Sequence, residues 1–328
     1  DEALRLPQVD HDDRLRQNLL RQRAMARYQQ GHTVEGVELA LDAHRHLGDY
    51  YRDGTAGFSA AHLALLLTLQ GRVDEGATYI SQARSAFHDL GALAPLAGLQ
   101  ALDLYVQHCR GQAQRAASAV SSTFRRLDEA EGYAADLRLR LLLVVVLGEG
   151  GEQRRALALA RETATRMHER GYRLFLAMAQ LYAAHLAGAC GEAEPRDSAL
   201  RAGWALLAAD DLDFVPMLPP QALADVVRAA LRAGLETETV RRVLKRQIPE
   251  LAVELLQGLL GDREPQVRTR AAVLLGDLGA AVAYPALRTL LKDKHADVRD
   301  AAEQALGQLV YRPPYTLRIR TLGVFAIW

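Results

Sequence analysis

Apolar residues recur along this chain in two helical patterns. From residue 15 to residue 30 they keep to one side, with Leu15, Leu19 and Ala26 four and seven apart, which predicts an amphipathic helix begun by Asp12 and Asp13. Residues 63–69 and 141–147 are instead apolar all round, as helices sandwiched between neighbours must be, whereas residues 152–170 are wetter and predict an outer helix. Glycines punctuate these segments at a fixed step: Gly31, Gly71, Gly111, Gly151 and Gly191 are each forty residues apart. Further glycines, Gly48, Gly91, Gly132 and Gly171, divide each interval in two, so each repeat reads as an antiparallel helix pair. Thr33 is placed to cap the second helix of the first pair. Five residues after each rung stands a small residue, Gly36, Gly76, Ala116 or Ala156, and in two repeats another follows seven later, Ala43 and Ala83. That spacing lies along one helix face and allows close approach. Gly191 departs from it, since Arg196 occupies the small position.

The period and the small-residue spacing resemble the tetratricopeptide repeat in a longer, forty-residue form, over residues 11–247. The family's aromatic signature positions are poorly kept. After Asp210 and Asp211 a proline-rich stretch, residues 214–220, leads to a last pair around Gly234, residues 221–232 and 236–247, which we read as a sixth, degenerate repeat. A second period then takes over. Asp262, Val267, Arg268, Ala271, Leu275 and Gly276 recur thirty-one residues on as Asp293, Val298, Arg299, Ala302, Leu306 and Gly307, and this resembles HEAT repeats of the short, lyase-associated type. Each aspartate is expected to cap the next helix, each valine to enter the core and each arginine to face the neighbouring repeat. Pro249 and Pro285 suit first helical turns. Finally Leu317, Ile319 and Thr321 alternate with Arg318 and Arg320, Gly323 interrupts, and Phe325 and Ile327 resume. This strand, turn, strand pattern resembles the opening of the winged-helix DNA-binding module of the bacterial transcriptional activation domain.

The expected fold is therefore all-α: a right-handed α-solenoid of antiparallel helix pairs, tetratricopeptide-like over residues 1–247 and HEAT over residues 248–310. A short β segment at residues 311–328 would begin a truncated winged-helix domain. The chain lacks an initiating methionine and stops within that pattern, so it reads as an excised fragment.

Composition narrows the function. Forty basic and forty acidic residues give no net charge, hence no general attraction for nucleic acid or anionic membrane. Two cysteines, Cys109 and Cys190, lie two repeats apart, which argues against a disulfide and for a reducing, cytoplasmic setting. The longest apolar run, residues 141–147, is far shorter than the roughly 20 residues of a membrane span.

The segment 144–152 imitates a strand feeding a glycine-rich phosphate loop but fails both templates: Gln153 stands at the third glycine of the dinucleotide pattern, and no Lys-Ser/Thr follows. His44 and His46 point to different helix faces, and His62, His88, His108, His168 and His185 occupy unlike repeat positions, so no metal set is predicted. His108 beside Cys109 does not make a catalytic pair, because sequence neighbours on a helix diverge. Asp210 and Asp211 are read as solvated helix-end residues. The cluster Arg241, Arg242, Lys245 and Arg246 admits two readings, a contact for nucleic acid or an acidic partner, or a solvated last turn matched to the helix dipole, and the second is favoured. No enzyme activity, cofactor or metal is expected.

In tetratricopeptide arrays the first helix of each pair lines the concave groove. The family's groove positions lie ten, six, three and two residues before each rung. Carried over, they give Arg21, Met25, Tyr28, Gln29, Leu65, Thr68, Tyr105, His108, Val145, Glu149 and His185. The resemblance implies the sensor and protein-interaction region of a bacterial transcriptional regulator, binding a protein segment or small effector and relaying to neighbouring ATPase and winged-helix domains. A constitutive protein-interaction scaffold is the alternative. Truncation of the winged helix implies no specific nucleic-acid binding by this fragment.

Overall fold

The computed structural model describes residues 13–45, 54–129, 137–309, 319–320 and 326–327. Outside them lie Gly48 and Gly132, expected as turns, His46, expected on a different helix face from His44, and Asp12, expected at the start of the first helix. Most of the 311–328 segment lies outside them too. The chain divides into two compact units, Asp1–Ala230 with Leu235–Gln247, and Leu231–Gly234 with Ile248–Trp328.

In the first unit the helices follow one another in pairs: α1 (Asp13–Gln29) and α2 (Thr33–Arg45), α3 (Thr55–Leu69) and α4 (Val73–Asp89), α5 (Leu93–Cys109) and α6 (Ala113–Glu129), α7 (Leu137–Glu149) and α8 (Gln153–Glu169), α9 (Arg173–Ala189) and α10 (Ala193–Ala209). The helices α11 (Pro220–Ala233) and α12 (Thr237–Gln247) complete the series. From α1 to α10 each helix packs on the next, α10 also packs on α12, and the first helices α1, α3, α5, α7 and α9 pack on one another, which makes them the inner layer. The result is an all-α solenoid.

The rungs are helix terminators. At Gly151, φ is 96°, and Glu152 N–H reaches back to Leu147 O at 3.1 Å, the closing bond of a Schellman turn. The same bond recurs after Gly31, Gly71, Gly111 and Gly191. Where the ladder fails, Asp211 takes the left-handed conformation instead, with φ of 54°, and Leu212 N–H bonds Leu207 O at 2.8 Å. Thr33 is the first residue of α2 and not its cap.

Residues 141–147 of α7 are all fully buried, and each large side chain among them contributes roughly 1.5–3 kcal/mol by leaving water. Outer helices bury a stripe only; in α8 it is Ala156, Leu157, Ala160, Thr163, Ala164 and Met167. The small positions set how closely a pair packs. A β-carbon on Gly36 would come within 2.9 Å of Ala24 O and of the Tyr28 β-carbon, and one on Gly76 within 2.3 Å of Thr68 Oγ1. Arg196, at the equivalent place in the fifth repeat, is half-buried and turns to Asp197 at 2.8 Å. There Gly203 supplies the close contact, with Leu181 Cγ only 2.7 Å from where its β-carbon would stand. Gly203 falls seven residues after Arg196, so Ala43, Ala83, Thr123, Thr163 and Gly203 form one buried small-residue position through all five repeats.

The second unit contains α13 (Pro249–Leu259), α14 (Pro265–Asp277), a 3-10 turn (Ala281–Ala283), α15 (Tyr284–Leu290) and α16 (Ala296–Gln308). Val267 and Val298 are buried. Arg268 donates through Nε and Nη2 to Asp293, both at 2.9 Å, and through Nη1 to Asp262 O at 2.8 Å; Arg299 repeats the last bond to Asp293 O at 2.8 Å. The aspartates cap the turn and not the helix itself: Asp262 accepts from Glu264 N–H at 3.1 Å, and Asp293 from His295 N–H at 3.0 Å. Arg268 and nearby amides hold the Asp293 carboxyl below its ordinary value, Arg268 most strongly. Ile319 and Arg320 pair antiparallel with Ile327 and Ala326 in a two-residue ladder.

Candidate functional site

The last turns of the first helices bring together part of the groove set. Tyr28 closes α1, Tyr105 and His108 close α5, Glu149 ends α7, and His185 lies near the end of α9. Tyr182, one turn before His185, joins them. Its hydroxyl lies 3.2 Å from Glu149 Oε1 and 3.3 Å from Val145 O, so one donor on α9 is divided between two acceptors on α7. Gly148 makes room for this, since a β-carbon there would stand 2.4 Å from the Tyr182 hydroxyl. Tyr182 stacks on His185 at 5.7 Å between ring centroids, and His185 Nδ1 lies 3.2 Å from Asp225 Oδ2. Tyr105 lies 5.9 Å from the His108 ring, within electrostatic reach of Tyr28, Glu149 and Tyr182.

Burial dominates the electrostatics. It pushes the Tyr28, Tyr105 and Tyr182 hydroxyls well above the ordinary phenol value, with Glu149 adding to the shift of the last two. It also pushes His108 down, against the opposing pull of Glu149, so this imidazole is neutral at physiological pH. His108 Nδ1 is buried and without a hydrogen bond. Glu149 itself is exposed, and among the described residues it accepts from Tyr182 and pairs with no arginine or lysine. The Cys109 thiol is raised by burial, the opposite of a nucleophile's need.

Other expected groove residues are placed elsewhere. Met25, Leu65, Thr68 and Val145 are buried packing residues, and the Thr68 hydroxyl donates to Ala64 O at 2.7 Å. Tyr28 is buried too, so it supports the cluster from behind. Arg21 bonds Asn18 within its own helix, and Gln29 is half-buried. Met25, Leu65, Thr68 and Val145 are inter-repeat core because neighbouring first helices approach closely enough to cover them. Tyr182 was missed because it stands nine residues before its rung, a place the groove spacing skips; its tyrosine in a helix otherwise rich in leucine and alanine was the available signal.

The basic cluster is engaged within the chain. Arg241 pairs with Glu238 at 2.6 Å, Arg242 with Asp211 at 2.5 Å, and Arg246 with Asp213. Lys245 is exposed. Arg246 Nη2 also donates to Gln30 O at 2.6 Å, and its guanidinium lies over Phe214, whose ring meets Tyr28 edge-on at 5.9 Å. First and last pairs of this unit therefore touch. Asp210, expected to be merely solvated, pairs with Arg173 at 2.6 Å, which lowers its carboxyl.

His44 packs edge-on against Tyr79 and lies 3.2 Å from Ser59 Oγ. No group of His, Cys, Asp and Glu among the described residues could hold a metal ion, and no helix among them is long and apolar enough to cross a membrane. A cavity between α3 and α5, lined by His62, Leu65, Leu102 and Arg138 among others, has a volume of about 20 Å³, room for roughly one water.

Residues 226–307 match the family model described as HEAT repeats, a stretch that begins upstream of Ile248 and takes in the pair around Gly234. The match supports a helical-repeat scaffold of the kind that mediates protein interactions. No curated protein matches the chain. Among solved structures, Ton1535 from Thermococcus onnurineus NA1 is similar over 90% of this chain and 91% of its own, at 13% identity and a TM-score of 0.30.

Proposed function

We propose that this chain is the non-catalytic sensor and protein-interaction region of a bacterial transcriptional regulator. In this reading the tetratricopeptide-like array takes an effector or partner segment at the last turns of its first helices. Its curvature then changes by small rotations at repeat interfaces. The HEAT portion relays that change to neighbouring ATPase and winged-helix domains, the latter begun by the paired residues 319–320 and 326–327. The observation that carries the reading is the convergence of Tyr105, His108, Glu149, Tyr182 and His185 from three separate repeats, because a ligand touching all three can bias their relative positions. The HEAT match favours a second reading, a constitutive scaffold, which needs no effector.

Transcript profiling separates the two. Cells carrying Tyr105→Ala or Glu149→Ala in the full-length gene should misregulate a defined set of transcripts at unchanged protein abundance. Unaltered transcripts, with an altered set of co-purifying proteins, would overturn the sensor reading in favour of the scaffold.

A further inference from the structure

The cluster at the first-helix ends has a definite chemical preference. Aromatic residues are only 6% of the chain, yet Tyr28, Tyr105, Tyr182 and Phe214 gather here with His108 and His185. Amid these rings sits one exposed carboxylate, Glu149, held from behind by the buried Tyr182 hydroxyl at 3.2 Å. No arginine or lysine side chain among the described residues neutralises it. The second carboxylate nearby, Asp225, is already matched by Arg228 at 2.7 Å. The uncompensated charge of the cluster is thus negative and centred on Glu149.

Aromatic faces around a carboxylate favour a cation, which gains from the ring quadrupoles as well as from the charge. His108 adds a hydrogen-bond acceptor, since it is neutral and its Nδ1 has no partner. Among the described residues no arginine or lysine pairs with Glu149, and the three arginines of the basic turn are already paired with Glu238, Asp211 and Asp213, which disfavours an anion here.

We infer that Glu149, Tyr105 and His108, backed by Tyr182, form a binding site for an organic cation, an ammonium or guanidinium head group. Its source is either a free small amine or a basic side chain on a partner polypeptide. This rests on the sensor reading above and names the class of ligand that its site receives. Glu149 supplies the counter-charge, Tyr105 the aromatic face and His108 an acceptor for one N–H. Tyr182 is a positioning residue, fixing the carboxylate.

Isothermal titration at low ionic strength tests the site with agmatine as the free cation, acetyl-Gly-Arg-Gly-amide as the peptide-borne one and glutarate as the anionic control. Saturable binding of either cation but not of glutarate is expected. Preference for agmatine assigns a small effector, and preference for the peptide a partner segment. Glu149→Gln, at an exposed position that folding tolerates, should weaken binding about tenfold or more, equivalent to about 1.4 kcal/mol. Tyr105→Phe should bind nearly as wild type, because it keeps the aromatic face, whereas Tyr105→Leu should lose several-fold. Binding unchanged in Glu149→Gln, or no saturable binding of either cation up to about 10 mM, would overturn the assignment. A transcript phenotype of Glu149→Ala without cation binding would leave the sensor reading standing and reject only the ligand class.

Discussion

His44 and His108 each lie against rings and apolar walls, and burial is the main cause that pulls both below the ordinary imidazole value of 6.5. In the unfolded chain these imidazoles take up protons near that ordinary value, whereas in the fold they resist. The sign follows: stability is fully present above pH 6.5 and declines as the pH falls from there toward the lower folded values. Urea unfolding should therefore give a lower midpoint at pH 5.5 than at pH 7.5, and His108→Gln should shrink the difference. A midpoint that rises on acidification would contradict the burial argument. Tyr182 illustrates the opposite use of burial at the same site: its hydroxyl stays protonated and available as a donor to Glu149 at any physiological pH.

At the scale of the element, the helix pair is set by what faces its partner at the closest point. Gly76 has Thr68 Oγ1 2.3 Å and Ala64 O 3.1 Å from where a β-carbon would stand, and that hydroxyl is already committed to Ala64 O. Gly76→Ala gains about 1 kcal/mol of helix propensity but must displace this bonded side chain, at roughly 1–3 kcal/mol for overpacking. A net loss of about 1 kcal/mol is expected in denaturant melts, with partial recovery in the Thr68→Ala, Gly76→Ala double variant because the two positions couple. Additive losses would show that the crowding lies elsewhere.

The helix pairs, the turns at Gly31, Gly71, Gly91, Gly111, Gly151, Gly171 and Gly191, and the buried status of residues 141–147 were legible in the sequence, because period and polarity report directly on which face meets a neighbour. Less legible was the small position that runs from Ala43 to Gly203, since threonine replaces alanine in two repeats and remains buried. The candidate site was legible in part. Spacing names Tyr105, His108, Glu149 and His185, and the fold places them toward the ends of α5, α7 and α9. It failed at Met25 and Thr68, whose burial depends on how tightly another helix covers them. It could not reach Tyr182, Phe214 or Asp225, which arrive by tertiary packing.

For the molecule as a whole, the first unit is an array whose ends meet. Arg246 joins Asp213 and Phe214 to the carbonyl of Gln30, and Tyr28 packs on Phe214. A β-carbon on Gly31 would stand 2.4 Å from that guanidinium, so the rung glycine at this turn also serves the contact. Such closure constrains an otherwise quasi-one-dimensional stack, and it places the first-helix ends of separate repeats around one cluster. The second unit, with its Arg268 and Asp293 pair, is a helical repeat by its own contacts, and residues 226–307 match the HEAT-repeat model.

In the proposed function those helix ends act together as one binding site. Amide hydrogen exchange of the intact protein, with and without saturating agmatine, tests it most directly. Simultaneous added protection is expected in three segments spaced along the chain, residues 105–111, 145–151 and 182–188, at the ends of α5, α7 and α9. Protection confined to one of them, or found only outside them, would contradict it.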